Sequence, residues 1–424
     1  MQMKCFALVD CNNFYASCEK LFRPDLKLTP VVVLSNNDGC VVARSKEVKQ
    51  LGIKMGVPFF KLQDEVARYG IVAFSSNYAL YADISNRVMT TLEELSPKLE
   101  IYSIDEAFLD LTGVNHCIEL TAFGQQIRQI IYQWVGISVG VGIAPTKTLA
   151  KLANHAAKTY PATQGVVDLT DPARQRKLMA ITPVEDVWGV GRQLSKHLKA
   201  IGIDTALKLA DVEPAWIKKQ FNVVLERTVR ELNGQSCLKL DDVAPVKKQI
   251  ICSRSFGERI IDKQMMSEAI ASYASRATEK LRQQKQCARS LTVFIRTNPF
   301  SETEAYYSNS ATYQFPIPTD DTRDMLEQAR VLVDMIWRQG YRYMKGGVML
   351  NDFYDKGVYQ TDLFCDTKIR ENSKPLMHVL DKINRSGKGK VWFAGEGITR
   401  KWSMKRDHLS PAYTTNWKEL PIVK

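Results

Sequence analysis

Short apolar runs and amphipathic stretches alternate along the N-terminal half of the chain. Residues 4–9 form an apolar run that predicts a buried strand, and this strand ends at Asp10. The strand-like stretches LEIYSI and AFLDLTG flank Asp105 and Glu106, which indicates that this acidic pair lies at the tip of a hairpin. ISVGVGIAP predicts another buried strand, and TKTLAKLANHAAK predicts the helix after it. This mixture predicts an α+β core in which the three carboxylates meet at one end of a sheet.

Residues 181–211 have helical patterning that is interrupted at WGVGRQLSKHLKAIGI. Gly189 and Gly191 lie between two helical stretches and predict a helix-hairpin-helix turn. Such glycines let backbone N–H groups approach a phosphate, and the next helix presents its N-terminus to the same anion. An αα-hairpin that uses glycine only to turn is the alternative.

Residues 246–352 predict a separate domain with the element order βαββαβ. Arg254, Arg289 and Arg296 lie on its strands and are candidate contacts to a DNA backbone. The alternative is ordinary edge-strand charge that discourages aggregation. After Asp352 the chain is polar and rich in Gly and Lys around RSGKGK, so we expect a tail that is only partly ordered.

Length and charge narrow the class of protein. A chain of 424 residues exceeds what one hydrophobic core usually supports, so we expect two to four domains. The formal net charge is +12, and residues 353–424 alone hold 14 basic and 8 acidic side chains. This excess suits a polyanionic partner such as nucleic acid, although a basic face that is merely solvated is the alternative.

The nine cysteines are scattered singly, without a CxxC pair or a histidine cluster. This distribution argues against a zinc site and against a disulfide framework, and it favours a reducing cytoplasm. No apolar run reaches the ~18 residues that a membrane span needs, and the stretch after Met1 lacks the apolar core of a signal peptide. We therefore expect a cytoplasmic protein without a membrane partner.

Asp10, Asp105 and Glu106 together can supply the carboxylates of a two-metal phosphoryl-transfer site. Two Mg²⁺ ions about 3.5–4 Å apart can activate an attacking hydroxyl and neutralise a leaving pyrophosphate, and they need several convergent oxygen ligands. Considered alone, these residues have a simpler explanation, because acidic residues often lie on solvated turns and at strand ends.

The strings DCNNFYASCE, SIDEAFLDLTG, VGIAPTKTLAKLANHAAK and WGVG occur in this order and resemble the signature segments of Y-family translesion DNA polymerases. NNDGCVVARSKEVKQLGIKMGVP, SSNYALYADISNRVM, IICSRSFGERI and the C-terminal tail are similar to the UmuC-type catalytic subunits of bacterial DNA polymerase V. The resemblance covers essentially the whole chain. It implies template-directed, low-fidelity DNA synthesis across damaged bases in the SOS response, in the bacterial cytoplasm at the nucleoid.

The implied fold is an open right-hand polymerase with five parts. These are a palm (1–15 and 80–175), small fingers (16–79), a small helical thumb with the helix-hairpin-helix (176–243), a little finger of βαββαβ order (246–352) and a C-terminal tail (353–424).

The resemblance assigns the metal ligands and the sugar-reading residue. Asp10, Asp105 and Glu106 match the carboxylates that hold two Mg²⁺ ions, and Cys11 should contribute its backbone carbonyl. Carbonyl oxygen suits Mg²⁺, whereas the thiol of Cys11 does not. Tyr15 matches the steric gate, an aromatic ring under the sugar of the incoming nucleotide that would collide with a 2′-hydroxyl. Ordinary core packing is the alternative for this ring.

Four residues match positions that bind the triphosphate. Lys49 and Lys158 match by side chain, and Asn13 and Phe14 match by backbone N–H groups. Lys49 stands where many relatives carry arginine, and lysine is a point charge without the bidentate fork of arginine. The alternative for both lysines is a solvated surface role.

Ser35, Asn36 and Asn37 fall in the expected fingers, where small polar groups would face the nascent base pair. A roomy pocket cannot impose tight shape selection, so we expect it to accept distorted template bases and to make errors.

Gln360, Leu363 and Phe364 belong to the string QTDLF, which resembles the peptide through which bacterial polymerases bind the sliding clamp. The Leu-Phe pair would fill an apolar pocket, and tethering would raise the local concentration at a primer end. Five-residue patterns also arise by chance. By resemblance alone, the tail should engage a processed UmuD dimer and a RecA filament, beside the expected substrates, primer-template DNA and deoxynucleoside triphosphates.

Three other functions fit parts of the sequence. A P-loop nucleotidase is suggested by GVGIAPTKT, but Thr146 replaces the glycine that must precede Lys147. A nucleotidyl cyclase would use a similar two-metal site but leaves the hairpin glycines, the βαββαβ domain and QTDLF unexplained. A non-catalytic DNA-binding scaffold would have no need for the three carboxylates. Primer extension measured against cyclic product formation, in the presence of Mg²⁺, separates these alternatives.

Overall fold

A computed structural model describes residues 4–240, 247–358, 370–387 and 389–420 of the chain. The chain divides into two compact units. Unit 1 comprises Met1–Leu34, Cys40–Ala244 and His408–Lys424, and unit 2 comprises Ser35–Gly39 and Pro245–Asp407. Among the described residues, no helix is both long and apolar enough to cross a bilayer, and eight cysteines are free thiols.

Unit 1 contains two sheets. Its strands are β1 (Phe6–Cys11), β2 (Val31–Leu34), β3 (Val41–Arg44), β4 (Val72–Ser75), β5 (Leu99–Ile101), β6 (Glu106–Asp110), β7 (Val139–Ala144) and β8 (Val166–Asp168). The larger sheet has the order β5-β6-β1-β7-β8, and the smaller one has the order β3-β2-β4. The predicted strand that ends near Asp10 is therefore the central strand of a five-stranded sheet.

Within the described residues of unit 1, eleven α-helices cover or follow these sheets. They are α1 (Phe14–Leu21), α2 (Lys46–Gln50), α3 (Gln63–Tyr69), α4 (Tyr78–Leu95), α5 (Leu120–Val135), α6 (Lys147–Thr159), α7 (Pro172–Ile181), α8 (Arg192–Ala200), α9 (Ala206–Ala210), α10 (Pro214–Gln220) and α11 (Val223–Leu232). Short 3₁₀ turns lie between several of them.

Strand alternation gives each face of the five-stranded sheet its own core. Ala7 and Val9 of β1 pack in the cluster that includes α4 and α5. Phe6 and Leu8 pack in the cluster that includes α6 and α11. Because side chains alternate along a strand, Asp10 continues the series of Phe6 and Leu8 and lies on the α6 face.

Glycine in β7 sets how closely α6 approaches the sheet. A Cβ at Gly142 would lie 2.2 Å from the backbone N of Asn154 and 2.4 Å from the carbonyl O of Ala150, both on α6. The Asn154 amide donates to the carbonyl oxygens of Gly140 (2.8 Å) and Leu8 (3.2 Å). The missing side chain and this amide fix the helix directly above β1 and β7.

Unit 2 confirms the predicted βαββαβ order. Its elements are β9 (Gln249–Ile260), α12 (Lys263–Gln283), β10 (Gln286–Arg296), β11 (Ser308–Thr319), α13 (Thr322–Ile336) and β12 (Tyr343–Asp355). The strands form an antiparallel sheet of order β11-β10-β12-β9. Residues of α12 and α13 share one buried core with this sheet.

The tail, which we expected to be only partly ordered, contains a helix in its described part. Strand β12 continues to Asp355, and α14 (Ser373–Arg385) follows within the described part of the tail. Met377 of α14 is buried, and Asp381 receives two hydrogen bonds from Arg282 of α12, at 2.7 and 2.8 Å. A buried charge pair of this geometry orients α14, because an unpaired charge there would be costly.

Candidate functional site

Strand pairing brings the three acidic residues to one end of the five-stranded sheet. Asp10 on β1 stands directly opposite Glu106 on β6, and opposite Gly140 on β7. Asp105 lies in the turn before β6, and its carbonyl oxygen accepts a hydrogen bond from Cys11 N at 2.9 Å. The predicted hairpin tip therefore lies beside the end of β1.

Two lysines of α6 neutralise part of this acidic charge. Lys158 forms an ion pair with Asp10, and Lys151 Nζ lies 2.9 and 3.2 Å from the two carboxylate oxygens of Glu106. The lysines are seven residues apart, so both project from the same helix face. Ser103 Oγ donates to Asp105 Oδ1 at 2.7 Å and orients that carboxylate.

Burial and acidic neighbours disfavour the charged form of Asp10. The pKa of Asp10 is raised to about 6, chiefly by burial, and the neighbouring Glu106 and Asp105 raise it further against the opposing effect of Lys158. A buried carboxylate with like-charged neighbours gains from any added cation. The donor set is hard oxygen, which is what Mg²⁺ prefers. The residues present therefore fit a divalent cation.

The carboxylates are not already gathered into a metal cluster. Within the described ranges, no group of three or more His, Cys, Asp or Glu side chains has an arrangement that could hold an ion. Asp10 and Glu106 are instead turned toward their lysines. The Cys11 thiol is buried, and burial raises its pKa far above its usual range, so it remains a thiol and offers no ligand.

The start of α1 leaves backbone donors without a capping side chain. Asn13 precedes the helix in the left-handed conformation (φ 50°), and no side chain caps this N-terminus. The first N–H groups of a helix have no intrahelical partner, and they favour an anion. Phe14 is buried in the core, so its backbone is fixed.

Tyr15 lies on helix α1. Its ring stacks on Tyr81 of α4 with centroids 4.4 Å apart, and it meets Tyr78 edge-on at 6.1 Å. Burial is the main cause that raises the pKa of Tyr15, and Asp105 is among the lesser causes. The ring therefore lies half-buried within the electrostatic range of the carboxylates.

A buried acid supports the stack beneath Tyr15. The hydroxyl of Tyr81, a fully buried residue, donates to Glu19 Oε1 at 2.5 Å. Glu19 is also fully buried, and burial raises its pKa to about 7, against smaller lowering effects of Tyr81 and of Ser410 in the C-terminal segment of unit 1. The segment is held further by Tyr413, whose ring stacks on Phe22 at 4.7 Å.

A second basic group faces the acidic end of the sheet. Burial lowers the pKa of Lys49 on α2, and the positive charges of Arg44 and Lys158 lower it further, while Asp10 raises it. Arg44 ends strand β3 and donates a hydrogen bond to the carbonyl of Ile53, and within the described part of the chain its buried Nε has no hydrogen-bond partner. Lys49 thus lies within electrostatic range of two other cations, an arrangement that a bound anion would relieve.

Ser35, Asn36 and Asn37 group with unit 2, whereas β2 and β3 on either side belong to unit 1. The Asn37 amide donates to the carbonyl of Ser255 at 2.9 Å, and its oxygen accepts from Lys405 N at 2.9 Å. The Asn37 side chain is therefore engaged with backbone groups of unit 2, while Asn36 is exposed.

The hairpin glycines occupy the positions that we expected, but only one adjoining element is an α-helix. Gly189 has φ 89°, which favours glycine, and Gly191 is the N-cap of α8. The element before them is a 3₁₀ turn at Val184–Asp186. The N-terminus of α8 has no side-chain cap.

The three arginines of unit 2 lie in different surroundings. Arg254 pairs across the sheet with Gly346. A Cβ added at Gly346 would contact Met266 and Ile270 of α12, so this side of the sheet is covered by the helix. Side chains of directly paired residues point to the same side, so Arg254 lies on the helix-covered face. Arg289 is exposed at a β-bulge in β10.

Arg296 belongs to the other face of this sheet. It stands opposite Lys345 of β12, and its charge helps lower the pKa of that lysine, after burial. The residues of the clamp peptide, Gln360, Leu363 and Phe364, lie outside the described residues.

Sequence reasoning missed several residues of the site. They are Ser103, Lys151, Arg44, Tyr81 and Glu19. Lys151 had a signal, because it lies seven residues before Lys158 on a predicted helix. The sequence also gave a signal for Arg44, because Arg44 lies two residues before the helix that carries Lys49. The Tyr81–Glu19 contact joins residues 62 apart and left no local pattern.

Comparisons with known proteins agree along the chain. The model of the impB/mucB/samB family matches residues 9–155, the C-terminal domain of the same family matches residues 247–363, and a domain of unknown function matches residues 374–423. Protein UmuC of Salmonella typhimurium is 58% identical over 421 residues, which cover 99% of this chain and 100% of that protein. Protein MucB of Escherichia coli is 49% identical, over 98% of this chain and 99% of that protein.

More distant relatives share the fold. A DNA polymerase IV of Caulobacter vibrioides is 26% identical over 86% of this chain and 87% of that protein. The solved structure of a Y-family DNA polymerase chimera of Dbh and Dpo4 superposes with a TM-score of 0.67 at 21% identity, covering 83% of this chain and 99% of the chimera. An insertion ternary complex of Dbh DNA polymerase gives a TM-score of 0.53 at 21% identity, over 83% of this chain and 99% of that one. These likenesses confirm the α+β, right-hand polymerase fold.

Proposed function

This chain belongs to the impB/mucB/samB family and is a DNA-directed DNA polymerase of translesion synthesis, and we propose that it extends primers with two magnesium ions held by Asp10, Asp105 and Glu106. One observation carries the proposal. Asp10 stands opposite Glu106 across the sheet, while the carbonyl of Asp105 is hydrogen-bonded to Cys11 N, so the three residues converge on one edge. Bound at this edge, the ions would activate the primer 3′-hydroxyl and neutralise the leaving pyrophosphate.

Each acidic residue has a part in this proposal. Asp10, Asp105 and Glu106 would hold the ions by their carboxylates, and Cys11 would contribute its backbone carbonyl. The raised pKa of Asp10 supports this assignment, because it reflects burial and, to a lesser extent, the neighbouring charges of Glu106 and Asp105, and a divalent cation would stabilise the ionised carboxylate. Ser103 keeps the Asp105 carboxylate oriented through its 2.7 Å hydrogen bond.

The incoming triphosphate is bound by the basic group and by the start of α1. Lys49 and Lys158 contribute charge, and the backbone N–H groups of Asn13 and Phe14 donate hydrogen bonds. Arg44 joins them, since its buried Nε has no partner among the described residues and its charge already acts on Lys49. A guanidinium can bind a phosphate through two N–H groups, which compensates for lysine at position 49.

Tyr15 excludes ribonucleotides by occupying the space beside the sugar 2′ position. The stack on Tyr81 and the hydrogen bond from Tyr81 to Glu19 prevent the ring from yielding to a 2′-hydroxyl. Since a rigid ring rejects a larger sugar more strongly than a mobile one, Tyr81 and Glu19 are positioning residues for Tyr15.

The remaining assignments follow the family and the chain's charge. The N–H groups at Gly189 and Gly191 and the side chains of Arg289 and Arg296 contact DNA phosphates. Arg254 stays a weaker candidate for this contact, because it lies on the helix-covered face. Ser35, Asn36 and Asn37 border the nascent pair, with Asn37 acting as an anchor for this segment.

The division into palm, fingers, thumb, little finger and tail, with the boundaries that the resemblance implies, belongs to the same proposal. The proposal also includes a role in the SOS response, in the bacterial cytoplasm at the nucleoid. It further includes binding to the sliding clamp through Gln360, Leu363 and Phe364. A processed UmuD dimer and a RecA filament are the proposed partners of the tail.

Replacing Asp105 with Asn tests the metal assignment. Asp105→Asn keeps the size of the side chain but removes one negative charge, so we expect primer extension in Mg²⁺ to fall about a thousandfold, equivalent to about 4 kcal/mol of activation free energy. Asp110→Asn is the matched control at the other end of β6, where the carboxylate only accepts from Thr112 N. Duplex affinity should be equal in both variants. Extension by the Asp105 variant within tenfold of the control would remove Asp105 from the metal site.

A further inference from the structure

A cavity of about 760 Å³ lies entirely within unit 2, on the helix-covered side of its sheet. Its walls come from the start of β9, from the middle of α12, and from tail residues between α14 and Arg406. We call this cavity the tail cleft. Its volume falls within the range of about 300–1,000 Å³ that bound organic ligands occupy. None of its lining residues belongs to the proposed metal site or to the proposed triphosphate-binding groups.

The tail cleft carries an excess of unpaired positive charge. Seven cationic and three acidic side chains line it. Arg282 is paired with Asp381, and Arg400 with Glu396. The other five cations, however, form no ion pair with a carboxylate of the described residues; they are Arg254, Arg276, Lys280, Lys390 and Arg406. Cations held around a concavity without acidic partners attract a polyanion.

Aromatic rings stand among these charges. Trp392 is 49% exposed, and Phe393 follows it in the wall. Tyr273 and Trp402 form a buried edge-to-face pair with centroids 5.6 Å apart. Surfaces that bind single-stranded nucleic acid combine aromatic rings, on which bases stack, with cations that contact the phosphate backbone. The exposed tryptophan and the unpaired cations of the tail cleft match this composition.

A buried donor in the wall has no acceptor. Trp402 is 5% exposed, and its indole Nε1–H has no hydrogen-bond acceptor among the residues that the structure describes. The Ser275 hydroxyl on α12 also lacks a partner. A buried donor without an acceptor costs about 1–3 kcal/mol, so its retention points to a group that is absent from the free chain. Both donors lie in the wall of the tail cleft, where a phosphate or base oxygen would satisfy them.

We propose that the tail cleft binds single-stranded DNA, with a base stacked on Trp392 and phosphates held by Arg276, Lys280 and Lys390. A duplex does not fit, because the bases that would stack on the ring are paired and stacked in the helix interior. An acidic peptide could satisfy the cations, but it has no use for the exposed indole. The site lies on the opposite side of the sheet from Arg296, the proposed duplex contact, so it is a second nucleic-acid site.

The test measures binding of a fluorescein-labelled short oligothymidylate to the full chain by anisotropy, with an unlabelled primer–template hairpin present in excess to occupy the duplex site. We expect binding to persist under these conditions. Arg276→Glu combined with Lys280→Glu should weaken binding of the oligothymidylate. Log affinity should also fall less steeply with log salt concentration, by about 0.7 in slope for each phosphate-binding side chain that loses its positive charge. Both side chains are exposed and unpaired, so the fold should not change.

Trp392→Ala separates stacking from charge. It should lower affinity about 5- to 150-fold without changing the salt slope, as expected for the loss of one base stack, and Trp392→Phe should restore most of it. Arg330→Glu, at an exposed position of α13 outside the tail cleft, is the charge control, and Trp417→Ala, 89% exposed in unit 1, is the ring control.

Three results would overturn the proposal. They are complete displacement of the single strand by the hairpin, equal affinity of the cleft variants and their controls, and loss of affinity in the charge variant with none in Trp392→Ala. The last result, together with competition by oligoglutamate of equal charge, would assign the cleft to an acidic peptide.

Discussion

Glu19 gives unit 1 a measurable pH dependence of stability. It is fully buried beside Tyr81, and burial raises its pKa from an ordinary 4.5 to about 7. Between these two values the folded chain keeps the proton, whereas the unfolded chain has lost it. The stabilisation from the protonated carboxyl is therefore complete below about pH 4.5 and is lost as the pH rises through about 7.

The size of the effect follows from the shift. Each unit of pKa corresponds to about 1.4 kcal/mol, so the whole shift represents about 3 kcal/mol. Glu19→Gln removes the ionisable group, while its amide oxygen still accepts from the Tyr81 hydroxyl. We expect the stability of this variant relative to the parent to increase by about 2–3 kcal/mol between about pH 5 and about pH 8. Other ionisable groups titrate in both chains, so their effects cancel in the difference.

Hydrogen exchange of the amides in α1 and α4 measures this difference locally, which matters because a chain with two units need not unfold in one step. Glu93→Gln, at an exposed position of α4, is the matched control, and its stability relative to the parent should not change over the same pH range. If the stability of the Glu19 variant relative to the parent is the same at both pH values, or decreases as the pH rises, the carboxyl is not held protonated by burial.

Three further predictions concern the gate, the sheet and the clamp. Tyr15→Ala should raise ribonucleotide incorporation relative to deoxynucleotide incorporation by at least tenfold in single-nucleotide assays, and unchanged sugar discrimination would contradict the gate. Gly142→Ala should destabilise unit 1 by about 1–3 kcal/mol, because its Cβ would overlap the backbone of α6. The control Gly395→Ala, where a Cβ meets open space, should be nearly neutral in the same thermal melts. Replacing Leu363 and Phe364 with Ala should abolish stimulation of primer extension by the sliding clamp while single-nucleotide addition is unchanged; stimulation equal to that of the parent would argue against docking.

The acidic edge could be predicted because it depends on short-range rules. A buried strand that ends in Asp10 and a hairpin with Asp105 and Glu106 at its tip place carboxylates at strand ends, and strand ends meet at a sheet edge. The observed register pairs Asp10 with Glu106, as these rules require. The βαββαβ order of unit 2 was equally predictable, since its helices are long and its strands alternate regularly.

The contacts that the supporting residues make could not be predicted, because they depend on packing between distant segments. Lys151 reaches Glu106 only because glycine at position 142 lets α6 lie close to the sheet. The tail helix α14 has a short amphipathic pattern whose partner, Arg282, lies 99 residues before Asp381. Composition alone therefore predicted a tail that is only partly ordered, and it gave no indication of the buried ion pair that orients the tail helix.

The two ion pairs of α6 connect these long-range contacts to the proposed chemistry. Lys158 now pairs with Asp10, and Lys151 with Glu106, so both lysines compete with any cation for the same carboxylate oxygens. When cations bind there, Lys158 must exchange its carboxylate partner for another anion, and Lys49 is already within electrostatic range of it. A triphosphate is the anion that polymerisation supplies. Binding of metal and of nucleotide should therefore strengthen each other, because each removes the partner that opposes the other, and this coupling is reciprocal.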